Sequence, residues 1–136
     1  MNASSRDIVS ILETYGDSSG LGLSFGDNLH IGTEPVNPRE CITIYDGVGQ
    51  SPYLGLGGEV GYEYPSVQVR IRDRDYINGW NRLNEIITIL HGRNHEVWNG
   101  TLYEVISVTG GPAPLERDSN NNAIFVVNFN IQRRAV

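Results

Sequence analysis

A change of hydrophobic period between residues 64 and 90 constrains the fold more than any other feature. After Pro65, apolar and polar residues alternate through Val67-Gln68-Val69-Arg70-Ile71-Arg72, the period of a strand with one buried face. From Tyr76 onward the apolar residues recur every three or four positions, as on one face of a helix: Tyr76, Trp80, Leu83, Ile87 and Leu90. The sequence therefore predicts a strand from Tyr64 to Arg74 and a helix directly after it, ended by Gly92.

A shorter helix is predicted near the N-terminus. Ser4 is a candidate cap, with Asp7 three residues later near the positive end of the helix dipole. Apolar residues follow at the spacing of one helical face: Ile8, Ile11, Leu12 and Tyr15. Gly16 is expected to end this helix.

The remaining patterns are those of strands and turns. Leu29-His30-Ile31 is a minimal strand, and Cys41 to Asp46 is a clearer one, rich in β-branched and aromatic residues. Asn99-Gly100 lies between two β-forming runs and predicts a type I′ hairpin turn whose second arm runs to about Val108. Residues 110–122 are predicted to form a long turn, and Ala123 to Gln132 the last strand.

This order of elements predicts a single α+β domain over residues 1–136. Its economical form is one mostly antiparallel sheet of about five to six strands, with two helices packed on one face. The segment from Gly47 to Gly61 contains six glycines in fifteen residues, so a long Gly-rich loop is expected there.

Two features are candidates for an interface. Aromatic and aliphatic residues lie in and beside the Gly-rich loop, and they either fold back on the core or form an interface arm: Tyr53, Leu54, Leu56, Tyr62 and Tyr64. Arg70, Arg72 and Arg74 form a row on the polar face of the predicted strand. This row is either a solvated face or a strip of intersubunit ion pairs.

Neither a catalytic site nor a metal site can be read from the motifs. Gly55-Leu56-Gly57 lacks the following helix that a dinucleotide loop requires. Asp118, Asn120 and Asn122 have the spacing that opens a calcium loop but lack its glycine and closing glutamate. His91 and His95 are separated by Gly92. Cys41, the only cysteine, is expected to be a buried apolar residue. We therefore expect no enzyme activity and no cofactor.

Charge and hydropathy narrow the class of partner. The net charge of −6 argues against nucleic-acid binding, because cation–phosphate contacts supply most of that affinity. No apolar run approaches the length of a membrane span, and the N-terminus lacks the apolar region of a signal peptide. Synthesis in the cytoplasm, without membrane association, is the expectation.

Several stretches together resemble the tail-terminator and minor-capsid proteins of tailed bacteriophages. The similar pieces are Gly32-Thr33-Glu34-Pro35, Cys41 to Asp46 followed by Gly49, the strand Pro65 to Arg72 with Tyr76 and Leu90 behind it, and Asp118 to Asn122 before Val127-Asn128-Phe129. The resemblance covers about residues 5–133. The chain has Asn-Asn-Asn-Ala where related sequences often have a glycine, which affects only the geometry of that turn.

The resemblance implies a virion protein of the tail and neck that assembles as a homohexameric ring. Such a ring caps the tail tube, meets the head-completion or connector protein, and lets DNA pass without specific binding. Asp73 and Asp75 are then candidates for acids that face the lumen. Two alternatives remain: a head-completion or neck protein, or a small enzyme or ligand-binding domain that uses residues 47–64 as a lid.

Overall fold

The computed structural model describes residues 1–16, 20–50 and 61–136. The described helices and strands are, in chain order, α1 (Ser4–Gly16), β1 (Leu29–Ile31), β2 (Cys41–Gln50), β3 (Tyr64–Asp73), α2 (Tyr76–Leu90), β4 (Asn94–Trp98), β5 (Thr101–Leu115) and β6 (Ala123–Ala135). The six strands form one sheet in the order β1-β2-β3-β6-β5-β4. Helix α1 contacts the β1–β3 half of this sheet, and α2 contacts β3, β6 and β5.

The fold is α+β as predicted, but the sheet is mixed rather than mostly antiparallel. Strand β1 runs parallel to β2, with Leu29 opposite Ile42 and Ile31 opposite Ile44. A three-residue strand carries no sequence signal for its direction. The chain between β1 and β2 passes over one end of the sheet instead of turning back as a hairpin, which makes the two strands parallel.

The alternation of apolar and polar residues along the central strands places one apolar face of the sheet in the core. On β3 the side chains of Val67, Val69 and Ile71 are fully buried beneath the helices. On β6 the core-facing residues are the predicted alternating set: Phe125, Val127, Phe129 and Ile131. The interpretation of β3 and β6 as strands with one buried face is therefore confirmed.

Three strands extend beyond their predicted ends, and the prediction of a turn over 110–122 was wrong in its first half. Strand β2 continues to Gln50, β6 to Ala135, and β5 to Leu115. The pairing of β5 with β6 shifts register on both sides of Gly110, so bulges absorb the glycines that were interpreted as a turn. The residues of the Gly-rich loop from 51 to 60 lie outside the described ranges.

Helix α1 is not capped by Ser4, which is its first helical residue. The cap comes from the sheet: the Asp46 carboxylate accepts hydrogen bonds from the Ser5 backbone N–H at 3.0 Å and from the Ser5 hydroxyl at 2.6 Å. Asp7 is instead fully buried. A cap supplied from 41 residues away leaves no local pattern in the sequence.

Helix α2 has its predicted bounds, but its buried stripe is rotated slightly from the predicted one. Gly79, Leu83, Ile86 and Leu90 are buried, whereas Tyr76 is 41% exposed. Gly79 allows this rotation, because a Cβ at this position would lie 2.7 Å from Phe125 Cε2. The helix therefore lies closer to β6 than any larger residue at position 79 would permit.

We expect Gly79→Ala to destabilise the protein by about 1–2 kcal/mol. A gain of about 1 kcal/mol in helix propensity is outweighed by overpacking against Phe125, which costs about 1–3 kcal/mol. The measurement is urea unfolding, with Asn81→Ala on the exposed side of the same helix as control. Equal or higher stability of Gly79→Ala would contradict the close approach.

Candidate functional site

Residues 33–40, which we call the strap, cross one end of the sheet between β1 and β2. The Arg72 guanidinium holds the strap from beneath: it donates to the Glu34 carboxylate at 2.9 Å and to four backbone carbonyls, those of Pro35, Val36, Pro38 and Arg39. Arg72 is only 7% exposed. A guanidinium stays charged in proteins, so its burial requires this full set of acceptors.

The neighbouring arginines of β3 reinforce the strap. Arg70 pairs with Glu34 at 2.6 Å, and Arg74 bonds Glu40. At the other side Arg39 of the strap donates to the Asn122 side chain and, at 3.1 Å, to the Asn120 carbonyl. The strap is thus fastened both to β3 and to the turn before β6, while Val36 at its tip is 83% exposed.

Arg70 and Arg72 share one face of β3 and Arg74 follows its last residue, but Arg72 is neither solvated nor free to form an intersubunit ion pair. Its candidacy as an interface residue is corrected by its burial within its own chain. The side chains of Arg70 and Arg74 are 33% and 61% exposed, and their interface role stays a prediction. The signal in the sequence that could have indicated the strap is its pair of acids. Glu34 and Glu40 lie at or near its ends, and they bind Arg70 and Arg74.

Of the two acids predicted to face a lumen, Asp73 does not reach solvent. It is 0% exposed and accepts hydrogen bonds from the Asp75 N–H at 2.9 Å and the Asn78 side chain at 3.2 Å, with Arg82 at 3.7 Å. That role for Asp73 is therefore wrong. Asp75 is exposed and caps α2 by accepting from the Asn78 N–H, and its lumen role stays a prediction.

The two tyrosines that border the Gly-rich loop lie against the sheet. The Tyr62 hydroxyl donates to Glu104 at 3.3 Å, and Arg134 lies over the Tyr62 ring. Tyr64 is paired with Gln50 and helps to line a small cavity of about 90 Å³. Tyr53, Leu54 and Leu56, the other members of the predicted interface arm, lie outside the described residues.

A second buried polar cluster, which the sequence did not reveal, ties α1 to the far end of β6. The Asp7 carboxylate accepts hydrogen bonds from the Tyr103 hydroxyl and, at 2.7 Å, from Asn99. Arg133 lies 3.8 Å from Asp7 and 3.2 Å from Glu63. Burial and the bond to Asp7 raise the pKa of Tyr103 well above its usual range.

On the face of the sheet opposite the helices, the strap lies over the Arg72 end. Beyond it, cross-strand pairs place Tyr45 beside Gln68, Gln68 beside Asn128, and Ser66 and Ser107 on either side of Asn130. Gln68 donates to the Asn128 side chain at 3.3 Å. Gln132, two residues beyond Asn130, continues the same face. We call these seven residues the amide face.

Neither a metal centre nor a membrane helix is found in the described part of the chain. Outside residues 17–19 and 51–60, no three His, Cys, Asp or Glu side chains are grouped to hold a metal ion. No described helix is long and apolar enough to cross a bilayer. Cys41 is buried, as expected, and burial raises the pKa of its thiol, which disfavours the reactive thiolate.

Comparison with known proteins shows the family of the chain. The family described as "Bacteriophage tail terminator protein" matches residues 11–134. The structure is similar to a chain of the "Virion of native gene transfer agent (GTA) particle", with a TM-score of 0.66, 9% identity, and coverage of 98% of this chain and 96% of the other. No curated protein sequence matches.

The family match supports a structural bacteriophage virion protein. The chain belongs to the bacteriophage tail terminator protein family. The resemblance in the strand Pro65 to Arg72 and in the helix behind it had indicated this family, and the match confirms it.

We expect Arg72→Met to reduce the free energy of unfolding by about 3–5 kcal/mol, because four carbonyls and Glu34 lose their buried donor. Arg74→Met, which removes the exposed pair with Glu40, should cost less than about 1 kcal/mol. Urea unfolding of both variants provides the comparison. Equal losses for the two variants would show that the strap does not depend on Arg72.

A second prediction concerns alkaline pH. The pKa of Tyr103 is raised in the folded state, so the stability that its neutral hydroxyl provides is complete below the unfolded pKa of about 10 and is lost as the pH rises above it. Tyr103→Phe should therefore be less stable than wild type at pH 8, and this difference should shrink by pH 11. Tyr76→Phe, at an exposed position, serves as control. A constant difference across this range would contradict the buried bond to Asp7.

Proposed function

We propose that six copies of this protein form a ring that ends growth of the tail tube and joins the tail to the head. The observation that carries the proposal is the tail-terminator family match over residues 11–134. The partners in this proposal are further copies of the chain, the tail tube protein below the ring, and the head-completion or connector protein above it. Its location is the neck region of the virion.

The distribution of positive charge supports the part of the proposal in which DNA passes through the ring. All ten basic residues are arginines within the described ranges, and each binds or stacks on a group of its own chain. Six of these arginines are partly or fully buried, whereas Arg6, Arg74, Arg117 and Arg134 are exposed, and the net charge of the chain is −6. A channel that lets DNA slide must avoid phosphate binding, because each cation–phosphate contact adds affinity.

The test is assembly of virions without this protein, with the intact chain supplied from a plasmid as control. We expect tails of uncontrolled length in its absence and normal tails when it is restored, measured by electron microscopy. Tails of uniform length that fail to join heads would instead support the alternative role of a head-completion or neck protein. Normal, head-attached tails without the protein would contradict both.

A further inference from the structure

The chain contains two Asn-Gly pairs, Asn78-Gly79 and Asn99-Gly100. Asparagine is one of the thermolabile residue types, and its amide is most easily lost before glycine, because glycine has no Cβ to shield its backbone nitrogen from the preceding side chain. A structural virion protein is not resynthesised once the particle has left its host. Each Asn-Gly pair is therefore a point at which the protein can be damaged with time.

The reaction is deamidation, and its only co-reactant is water. The backbone nitrogen of the glycine loses its proton and forms a bond to the Cγ atom of the asparagine. The bond from Cγ to the side-chain nitrogen breaks, and ammonia leaves with that proton. Water then opens the resulting five-membered succinimide ring to aspartate or isoaspartate, so the product carries one more negative charge than asparagine does.

The fold requires glycine at the second position of both pairs. In the turn between β4 and β5, Asn99 and Gly100 have φ values of 50° and 78°, which glycine adopts freely and asparagine more easily than most residues. In α2, a Cβ at position 79 would lie 2.7 Å from Phe125 Cε2. The glycines cannot be exchanged without strain, so protection of either pair must act on the asparagine.

Two buried acids hold the side chains of these asparagines. In the described part of the chain, Asp7 and Asp73 are the only buried carboxylates, and each is 0% exposed. The Asn99 side-chain nitrogen donates to Asp7 at 2.7 Å, and the Asn78 side-chain nitrogen donates to Asp73 at 3.2 Å. Both buried acids therefore bind the amide of an Asn-Gly pair.

We propose that Asp7 and Asp73 protect the two Asn-Gly pairs from deamidation. Charge-assisted hydrogen bonds to a carboxylate are stronger than bonds between neutral groups. This bond must break before the asparagine side chain can turn its Cγ atom toward the glycine nitrogen, so the reaction is slowed. The proposal does not depend on the ring, and it concerns the chemical lifetime of the subunit.

The two sites are not protected equally. In α2 the Gly79 N–H also donates to the carbonyl of the capping residue at 3.0 Å, so the attacking nitrogen is held as well. The Gly100 N–H makes no hydrogen bond to a described residue. The second contact of the Asn99 side chain, with the Ser10 hydroxyl, is long at 3.4 Å. Protection at Asn99 therefore depends mainly on Asp7.

Deamidation at Asn99 would also damage the fold. The new carboxylate would take the place of the amide that now bonds the buried Asp7 carboxylate, and like charges at such a distance repel strongly away from water. The contact that ties the hairpin turn to α1 would become a repulsion.

The experiment follows both sites in one molecule. Purified protein is incubated at mildly alkaline pH, either folded or in urea, and the converted fraction at Asn78 and Asn99 is measured over time by peptide mass spectrometry with an isoaspartate assay. The test variant is Asp7→Ala. The matched control is Tyr103→Phe, which removes another donor to the same carboxylate but leaves the acceptor of Asn99 in place.

In folded wild type we expect both sites to convert at least about tenfold more slowly than in urea, because a hydrogen bond to a charged group must break first. Asp7→Ala should raise the rate at Asn99 by about tenfold and leave the rate at Asn78 unchanged, whereas Tyr103→Phe should match wild type at both sites. Equal rates at Asn99 in the two variants would overturn the proposal. Folded wild type that converts at the rate found in urea would overturn it too.

Unfolding of the test variant has its own signature, because both sites would then accelerate together to the rates found in urea. In that case Asp7→Asn, which keeps the shape of the side chain and removes its charge, replaces Asp7→Ala. Faster conversion at Asn99 alone would support the proposal, and an unchanged rate at Asn99 would overturn it.

Discussion

The burial of one guanidinium sets the geometry on which much of the structure depends. Arg72 cannot lose its charge, so the chain must bring acceptors to it, and the strap does this with four carbonyls and Glu34. Because the strap crosses the end of the sheet, β1 runs parallel to β2. The same crossing covers one end of the sheet face that lies opposite the helices.

The two buried polar clusters have a common consequence for the surface. One uses Arg70, Arg72 and Arg74 to hold the strap, and the other uses Arg133 to join Asp7 and Glu63. Arginine suits both roles, because its planar fork bonds several acceptors at once. Of these four arginines only Arg74 is exposed, so the clusters remove three cations from the surface, while Arg6, Arg117 and Arg134 outside the clusters remain exposed.

Local patterns predicted the elements well and their long-range relations poorly. The alternation in β3 and β6, the Asn99-Gly100 turn and the bounds of α2 follow from neighbouring residues, and they were predicted. The capping of α1 by Asp46, the burial of Arg72 and the cluster around Asp7 each join residues far apart in the sequence, and no local period encodes them. Gly110 misled the prediction because bulges and turns use the same residue type.

The central claim is that the protein acts as a ring of six copies, and its mass in solution tests this most directly. The chain has a mass of 15.1 kDa, so native mass spectrometry of the purified protein, at rising concentration, should show a species of about six times that mass. Rings of corresponding symmetry should appear in electron micrographs of the same sample. A 15.1 kDa monomer that persists at all concentrations and in the presence of tail tubes would contradict the account.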